Sequence, residues 1–508
     1  MEKSRSLNSS RNVATGYINK TVNMLLGFVS KTVFIKVFGV GLLGINNLFS
    51  NVLAFLCLAD LGLSTAMTYS YYKPIAENDT DRISALNNFY KKIYIAIAAS
   101  ITVIGLALIP VLKYIINLDY EVEHLYLYYI LTLANTVVSY LFVYKSTVLY
   151  AQQEGYVVLK YNMLMNTLSV VVQIVLMLLL KNYIVYLSVA VFFTFINNLY
   201  ISSVANKRYP YIKDKKPLEK EARKDIFGNI GSVFLYKVSS VLLNSTDNII
   251  ISKMIGTETV GYYGNYLQVV NMITSYVTIL FQSLTASIGN LIAKDSEEKQ
   301  FRVFKNVQVI SAWFCIVVSS CVYALINDFI VIWLGEDFLL DGLTVIAVAV
   351  NFFLVCLLNP IWIYREAAGI YRKTKYIMVI CAVVNLVVSI ILGKWIGLSG
   401  ILFASAIARL STYVWYEPIV LFKNYFKRSS VSFFLSAFLI TGITVATSYA
   451  LSYLISVISF GGIFGFILKC VLCFIVSNVV FLIFYGRSSA FKDVINYGIK
   501  TVKKLISR

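Results

Sequence analysis

The chain has 508 residues, of which 59% are hydrophobic and 14% charged, and its mean hydropathy is +0.75. This composition excludes a soluble globular domain. The formal charge of +19 does not indicate nucleic-acid binding, because the basic residues lie in alternate joints between apolar segments and not on one soluble surface. We therefore predict an integral membrane protein without a nucleic-acid partner.

A membrane-spanning helix needs about 20 mostly apolar residues, and fourteen such runs follow one another along the chain. They cover residues 12–38, 43–71, 88–116, 124–150, 160–180, 183–204, 226–254, 260–291, 303–326, 342–365, 375–395, 398–424, 431–457 and 462–485. The polar segment before the first run lacks the cleavage pattern of a secretory signal, so we expect it to be retained. The prediction is an all-α polytopic membrane protein with 14 transmembrane helices.

The basic residues cluster in the joints after the sixth, tenth and twelfth runs, whereas the joints after the third and ninth runs are acidic. The positive-inside rule places the basic joints and both termini in the cytoplasm. Residues 487–508 put apolar side chains on one helical face and most lysines elsewhere. This pattern predicts a basic amphipathic helix on the anionic inner leaflet; a solvated tail is the open alternative.

No catalytic or metal-binding pattern is present in the sequence. All seven cysteines lie in apolar runs, and their odd number argues against a disulfide framework. Cys470 and Cys473 form a CxxC on one membrane helix without a neighbouring histidine, which favours packing over a metal site. There is no phosphate-binding glycine loop and no Ser/His/Asp set. We expect neither an enzyme nor a cofactor.

The chain aligns with itself at a shift of 217 residues. Lys20–Ala76 then lies on Lys237–Ala293 with 12 identities in 57 positions. The informative identities are lysines and glycines: Lys20/Lys237, Lys36/Lys253, Gly39/Gly256 and Gly44/Gly261. Runs one to six therefore correspond to runs seven to twelve as same-direction copies, with runs thirteen and fourteen appended.

The predicted division follows from this repeat. It comprises a cytoplasmic segment 1–11, a six-helix lobe 12–204, a basic linker 205–225, a second lobe 226–426, a helix pair 427–486 and the tail 487–508.

Two segments carry a family resemblance. "LGINNLFSNVLAFLCLADLGLSTAMTYSYYKPIAENDTDRISALNNFYKK", Leu43 to Lys92, and "EAAGIYRKTKY", Glu366 to Tyr376, resemble segments of the Wzx-type oligosaccharide flippases, bacterial polysaccharide transporters of the MOP superfamily. The resemblance implies two six-helix lobes around a central cavity, with two extra C-terminal helices.

The same resemblance implies a function. It is the movement of undecaprenyl-pyrophosphate-linked oligosaccharide from the inner to the outer leaflet by alternating access, for capsule or exopolysaccharide biosynthesis. Besides this lipid, the implied partners are membrane lipids, a coupling ion (Na⁺ or H⁺) and polysaccharide assembly proteins. The implied location is the bacterial cell membrane.

Charged residues at mid-membrane cost about 2.5–3.5 kcal/mol each, so they mark candidate cavity positions. Lys20 and Lys237 are repeat equivalents inside the first helix of each lobe, where a pair of cations would suit a pyrophosphate. Lys31 continues the stripe of Lys20, because eleven residues bring a helix back to within about 20°. The open alternative is snorkelling to the headgroups. Lys36 and Lys253 are predicted anchors at the outer interface.

Four further candidates are polar residues in other runs. Asn47 and Asn51 suit either sugar hydroxyls or hydrogen bonds between helices. Asp60 either titrates during transport or forms a fixed ion pair with a lysine of the first run. Asp247 is the comparable acid in the second lobe.

Arg409 lies near the middle of the twelfth run and remains charged at any physiological pH, which predicts a cavity role. Arg365 and Glu417 lie nearer the cytoplasmic ends and are interpreted as interfacial residues.

Two rival functions remain open. A drug or ion antiporter of the same superfamily would line its cavity with acidic groups. A polysaccharide polymerase or glycosyltransferase would carry a large external loop with catalytic acids or arginines.

Overall fold

The structure, a computed structural model, describes residues 2–57, 63–118, 121–214, 216–219, 238–239, 241–243, 245–294, 296–368, 370–458 and 460–506. All regular secondary structure in these residues is helical. The α-helices are α1 Glu2–Leu56, α2 Leu63–Ala76, α3 Thr80–Ala107, α4 Ile109–Ile115, α5 Leu125–Tyr140, α6 Val143–Ala151, α7 Gly155–Leu180, α8 Tyr183–Arg208, α9 Thr257–Lys294, α10 Glu297–Trp313, α11 Ser320–Leu334, α12 Gly342–Ala367, α13 Tyr371–Ser411, α14 Tyr413–Leu421, α15 Val431–Ser456, α16 Gly462–Tyr485 and α17 Ser489–Ile506.

Shorter helical elements connect some of these helices. A π-helical turn, Phe314–Ser319, joins α10 to α11, and a second one, Phe422–Phe426, extends α14. Two 3₁₀ turns, Pro210–Lys213 and Glu336–Phe338, follow α8 and α11. Residues 245–254, which precede α9, are also helical. The prediction of an all-α polytopic membrane protein is therefore confirmed.

Nine of the described helices are long and apolar enough to cross a membrane, or up to ten if α5 and α6, bent by 42°, form one span. Two candidates, Thr15–Leu56 and Tyr376–Phe426, contain 42 and 51 residues. At 1.5 Å per residue each is about twice as long as a bilayer's hydrocarbon core is thick. The total of 14 stays a prediction, because parts of the second and seventh predicted runs lie outside the described residues.

The first long helix turns at Gly39, where φ is 82° and ψ is 172°. The ring of Tyr183 lies 5.5 Å from those of both Phe34 and Phe38, and its hydroxyl donates to Asn46 Oδ1 over 3.1 Å. In a straight helix, residues 34 and 46 would be about 18 Å apart, which one tyrosine cannot bridge. Only a residue without Cβ adopts such a backbone without strain.

The second long helix reverses at Gly397, where φ is 61° and ψ is −136°. Asn385 Nδ2 donates to Ser405 Oγ over 2.9 Å, although twenty residues of straight helix span about 30 Å. A Cβ at Gly400 would lie 2.2 Å from the carbonyl oxygen of Leu392. The turn falls between the predicted runs 375–395 and 398–424, as their spacing indicates.

The internal duplication has a direct structural counterpart. A Cβ at Gly44 would lie 2.0 Å from the carbonyl oxygen of Thr257, and a Cβ at Gly261 would lie 2.6 Å from that of Val40. Positions 44 and 261, and positions 40 and 257, are each related by the 217-residue shift. The contact is thus reciprocal at repeat-equivalent positions, and it depends on glycine for close backbone approach.

By internal packing the chain divides into two compact units, Met1–Gly261 and Tyr262–Arg508. The first unit is centred on buried aromatic residues such as Phe49, Tyr90 and Tyr129. In the second, the ring of Phe304 lies 5.2–5.4 Å from those of Tyr364, Phe422 and Phe426. The lobe boundaries derived from the sequence repeat stay a prediction.

The tail forms the helix α17, as its amphipathic pattern predicts, and it packs against α10. The ring of Phe491 contacts that of Phe481 at 5.8 Å. Ile495 and Ile499 are 46% and 49% exposed. Its position on the inner leaflet stays a prediction.

Candidate functional site

The cationic stripe of α1 lies beside a ladder of amides. Asn166 Nδ2 on α7 donates to Asn23 Oδ1 over 2.7 Å, and Asn23 Nδ2 donates to Asn19 Oδ1 over 2.9 Å. Lys20 is exposed and Lys31 is half-buried. We call these five residues the helix-one lane. Burying an amide or an ammonium group in an apolar helix costs free energy unless the group forms hydrogen bonds or ion pairs. Such groups therefore mark a place where polar ligands are accommodated.

Two members of the predicted lysine set lie outside this lane. Lys36 and Lys253 are both exposed, which is compatible with anchors at the membrane interface, and that role stays a prediction. Lys237 and Asp60 lie outside the described residues. The pairing of Lys20 with Lys237 and the state of Asp60 therefore also stay predictions.

The asparagines that follow the Gly39 turn have different partners. Asn46 accepts the interhelical hydrogen bond from Tyr183 described above. Asn51 Nδ2 donates to the carbonyl oxygen of Asn47, four residues earlier, over 2.7 Å. Both Asn47 and Asn51 are half-buried. Hydrogen bonding between helices is thus observed at Asn46, while a sugar-binding role for Asn47 and Asn51 stays open.

Asp247 and Arg409 lie far apart in the sequence, and each is partly or fully removed from solvent. Asp247 is 8% exposed and is followed by the buried Asn248. Arg409 is half-buried and lies just before Thr412, where the backbone leaves the helix with φ −123° and ψ −99°. Within the described residues its Nε atom is buried without a hydrogen-bond partner. A cation with spare donor capacity beside a helix break is a suitable anion contact.

Arg365 and Glu417, interpreted as interfacial residues, form a buried ion pair between two helices, while their depth in the membrane stays a prediction. Arg365 Nη1 on α12 donates to Glu417 Oε1 on α14 over 2.6 Å, and the two side chains are only 4% and 1% exposed. Position along an apolar run indicates depth in the membrane, but not which face of the helix meets another helix. The sequence offers only the presence of two opposite charges, in the tenth and twelfth runs, as a signal for this pair.

A second ion pair involves a residue predicted in an external joint. Asp328 lies inside α11, which continues to Leu334 and thus beyond the predicted end at residue 326. Its carboxylate is 2.8 Å from Lys469 Nζ on α16. This ion pair joins α11 to α16, one of the two helices predicted to be appended after the repeat. The sequence does not indicate the pairing.

A further cation, Lys145 near the end of the fourth predicted run, was not among the sequence candidates. It lies on α6, three residues after Phe142, whose φ of 67° marks the bend between α5 and α6. Lys145 Nζ donates to Ser202 Oγ on α8 over 2.9 Å. The same face of α8 continues with Asn198, which donates to the carbonyl oxygen of Val138 over 2.9 Å. These bonds fasten the bent helix to α8.

The long apolar helices and the buried polar groups between them are those of a polytopic membrane protein. Residues 9–285 match the family model described as "Polysaccharide biosynthesis protein", and the chain belongs to this family. No curated protein sequence matches the chain.

Several solved structures share the fold of this chain. A structure of lipid II flippase MurJ in an inward closed conformation is similar with a TM-score of 0.67 and 16% identity, over 93% of this chain and 98% of that one. An inward-facing multidrug resistance MATE family transporter of the MOP superfamily gives 0.64 and 14%, over 79% and 96%. The Vibrio cholerae MATE transporter VcmN gives 0.55 and 12%, over 84% and 100%. These findings confirm the resemblance to flippases of this superfamily.

Proposed function

We propose that the protein is a flippase that moves undecaprenyl-pyrophosphate-linked oligosaccharide from the inner to the outer leaflet of the bacterial cell membrane. It does so by alternating access, with both termini in the cytoplasm, and it serves capsule or exopolysaccharide biosynthesis. The family match to polysaccharide biosynthesis proteins and the structural likeness to a lipid II flippase support this proposal.

The observation that carries the proposal is the helix-one lane. A pyrophosphate linked to a sugar presents clustered negative charge next to many hydroxyl groups. The ammonium groups of the lane suit the negative charge of the pyrophosphate. Its carboxamides suit the sugar hydroxyls, because amides both donate and accept hydrogen bonds. Lys20 and Lys31 lie about 16 Å apart along the helix, so they serve as successive contacts and not as one chelating pair.

The remaining candidates have separate proposed roles. Asn47, Asn51, Lys237 and Arg409 supply further donors to the substrate. Asp247, which is 8% exposed, and Asp60, an acid within an apolar run, couple transport to Na⁺ or H⁺, because a carboxylate removed from water responds strongly to a nearby cation or proton.

The first experiment deletes the gene and determines the leaflet in which lipid-linked sugar accumulates. Complete units that are trapped in the inner leaflet support the flippase. Failure to assemble the units or their polymer, with normal translocation, points to a synthetic enzyme such as a polymerase and contradicts the proposal.

A second experiment tests the lane in the complemented strain. Lys20→Ala, made alone and with Lys31→Ala, is expected to lower surface polysaccharide about tenfold or more, because loss of one charged hydrogen bond to the substrate costs about 1.5–3 kcal/mol. Lys36→Ala removes an exposed lysine of the same helix and serves as the matched control. Normal polysaccharide in the double variant at normal protein abundance would show that the lane does not bind substrate.

The second candidate function is a drug or ion antiporter, which the likeness to the MATE transporters favours. An antiporter of cationic drugs needs acidic groups at its binding residues, whereas the described lane carries two lysines and three amides. Export of cationic dyes from cells that express the protein, with unchanged lipid-linked sugar distribution, would favour the antiporter.

A further inference from the structure

The chain that follows α8 is bound along α3. We call this segment, residues 209–214 and 216–218, the strap. Ser84 Oγ donates to the carbonyl oxygen of Tyr211 over 2.7 Å, and Asn87 Nδ2 donates to that of Ile212 over 2.9 Å. The side chain of Ile212 is 3% exposed. The start of the predicted basic linker is therefore a fixed part of the first unit.

This attachment brings together three lysines from three elements. Lys213 directly follows Ile212, whose carbonyl oxygen is held by Asn87. Lys91 lies four residues after Asn87, one helical turn further along the same face of α3. Lys145 lies on α6, which packs against α3, and its ammonium group donates to Ser202 on α8, the helix that packs against the Pro210–Lys213 turn of the strap. We call Lys91, Lys145 and Lys213 the three-lysine cluster.

Two carboxylates on neighbouring elements have other partners, and Asp214, which follows Lys213, is exposed and forms no ion pair in the part of the chain that the structure describes. Asp81 is paired with Lys216, and Glu154 accepts from Arg208 Nη1 over 2.8 Å. Within the described residues, no ion pair joins any lysine of the three-lysine cluster to a carboxylate. Like charges that are held together without a counter-charge repel one another, and a bound anion would relieve this repulsion.

We propose that the three-lysine cluster binds the phosphate group of an anionic ligand. Three ammonium groups approach from α3, α6 and the strap, and the hydroxyl of Ser202, already bonded to Lys145, adds a fourth polar group. Lysine acts as a point charge towards phosphate and needs no bidentate geometry. The strap belongs to a joint predicted to be cytoplasmic, so the phosphate comes from an inner-leaflet headgroup or from free phosphate in the cytosol. The site does not depend on the proposed transport function.

The test uses the purified full-length protein in uncharged detergent at fixed salt. Binding of a fluorescent short-chain phosphatidylglycerol is measured by anisotropy, with phosphatidylcholine as the uncharged comparison. Lys213→Ala is expected to weaken binding of the anionic lipid about tenfold, which corresponds to the loss of one charge-assisted contact. The Lys91→Ala/Lys145→Ala/Lys213→Ala variant is expected to bind it no better than phosphatidylcholine.

Two controls separate the site from general basic charge. Lys92→Ala removes an exposed lysine on another face of α3 and should leave binding unchanged. Lys213→Arg keeps the charge and should keep the affinity within about threefold. Because Lys213 is exposed and the strap is held through backbone carbonyls, Lys213→Ala should fold normally, as an unchanged elution volume would show.

Competition with inorganic phosphate identifies the source of the anion. Displacement of the lipid by phosphate means that the cluster recognises the phosphate group alone. Lysine-dependent lipid binding that phosphate does not displace means that the headgroup is recognised in its membrane setting. Equal affinity of the triple variant and the native protein, or an equal loss in Lys92→Ala, would overturn the proposal.

Discussion

Replacing Arg365 by methionine removes the guanidinium from a pair whose Nη1 and Oε1 atoms are 2.6 Å apart and whose side chains are 4% and 1% exposed. With an effective dielectric constant of about 20 and charge centres about 4 Å apart, their attraction is about 4 kcal/mol. The substitution leaves the carboxylate of Glu417 buried without its counter-charge. We expect the free energy of unfolding to fall by about 3–5 kcal/mol.

The double variant Arg365→Met/Glu417→Leu is the informative comparison. It replaces both charges with apolar groups of similar size, and such replacements of buried ion pairs are often neutral or stabilising. We expect it to be more stable than Arg365→Met by at least about 2 kcal/mol. This result would mean that the pair specifies how α12 meets α14 more than it stabilises the unit.

The assay is equilibrium unfolding in mixed micelles with increasing sodium dodecyl sulfate, followed by tryptophan fluorescence and helical circular dichroism. The native protein, both single variants and the double variant complete a double-mutant cycle. A loss below about 1 kcal/mol for Arg365→Met would refute the buried ion pair. So would additive effects of the two substitutions.

Two further predictions concern backbone packing and pH. Gly44→Ala places a methyl group 2.0 Å from a backbone carbonyl oxygen at the start of α9, and we expect the free energy of unfolding to fall by about 1–3 kcal/mol in the same assay. Gly442→Ala is the control, because nothing lies within 4 Å of its added Cβ and the substitution should not destabilise the protein. Equal effects of the two substitutions would contradict the close contact at Gly44. Burial alone would raise the pKa of Asp341, but hydrogen bonds from Thr344 and Ser399 outweigh it and hold the pKa below its usual value. Ionised Asp341 therefore stabilises the folded protein above its unfolded pKa of about 3.9, and this stabilisation is lost as the pH falls through the lower folded pKa. The native protein should therefore have a higher melting temperature than Asp341→Asn near neutral pH, and the difference should disappear on acidification. A pH-independent difference in melting temperature would contradict this linkage.

The membrane architecture could be predicted from the sequence because the bilayer imposes strong local rules. Apolar length sets the spans, and the chain satisfies its backbone hydrogen bonds within helices. The repeat could be found because identities at one fixed shift need no knowledge of contacts. The role of its glycines is visible only in the structure, where Gly44 and Gly261 make reciprocal close backbone contacts at repeat-equivalent positions and Gly39 forms a turn.

The contacts between side chains of different helices could not be predicted in the same way. In a soluble helix the polar face marks the outside, but in a membrane helix both the lipid-facing and the packed surfaces are apolar, so periodicity carries little information about contacts. Arg365 and Glu417 are 52 residues apart, and nothing local indicates their pairing.

The strap illustrates the same limit outside the membrane. Its lysines were predicted as a basic cytoplasmic linker from charge alone. Ser84 and Asn87 hold its backbone carbonyls from more than 120 residues away, and carbonyl groups carry no sequence signature. The amino-acid sequence by itself therefore determined which segments enter the membrane and that they are duplicated. The tertiary structure alone decided which charges meet, because that depends on how separate helices face one another.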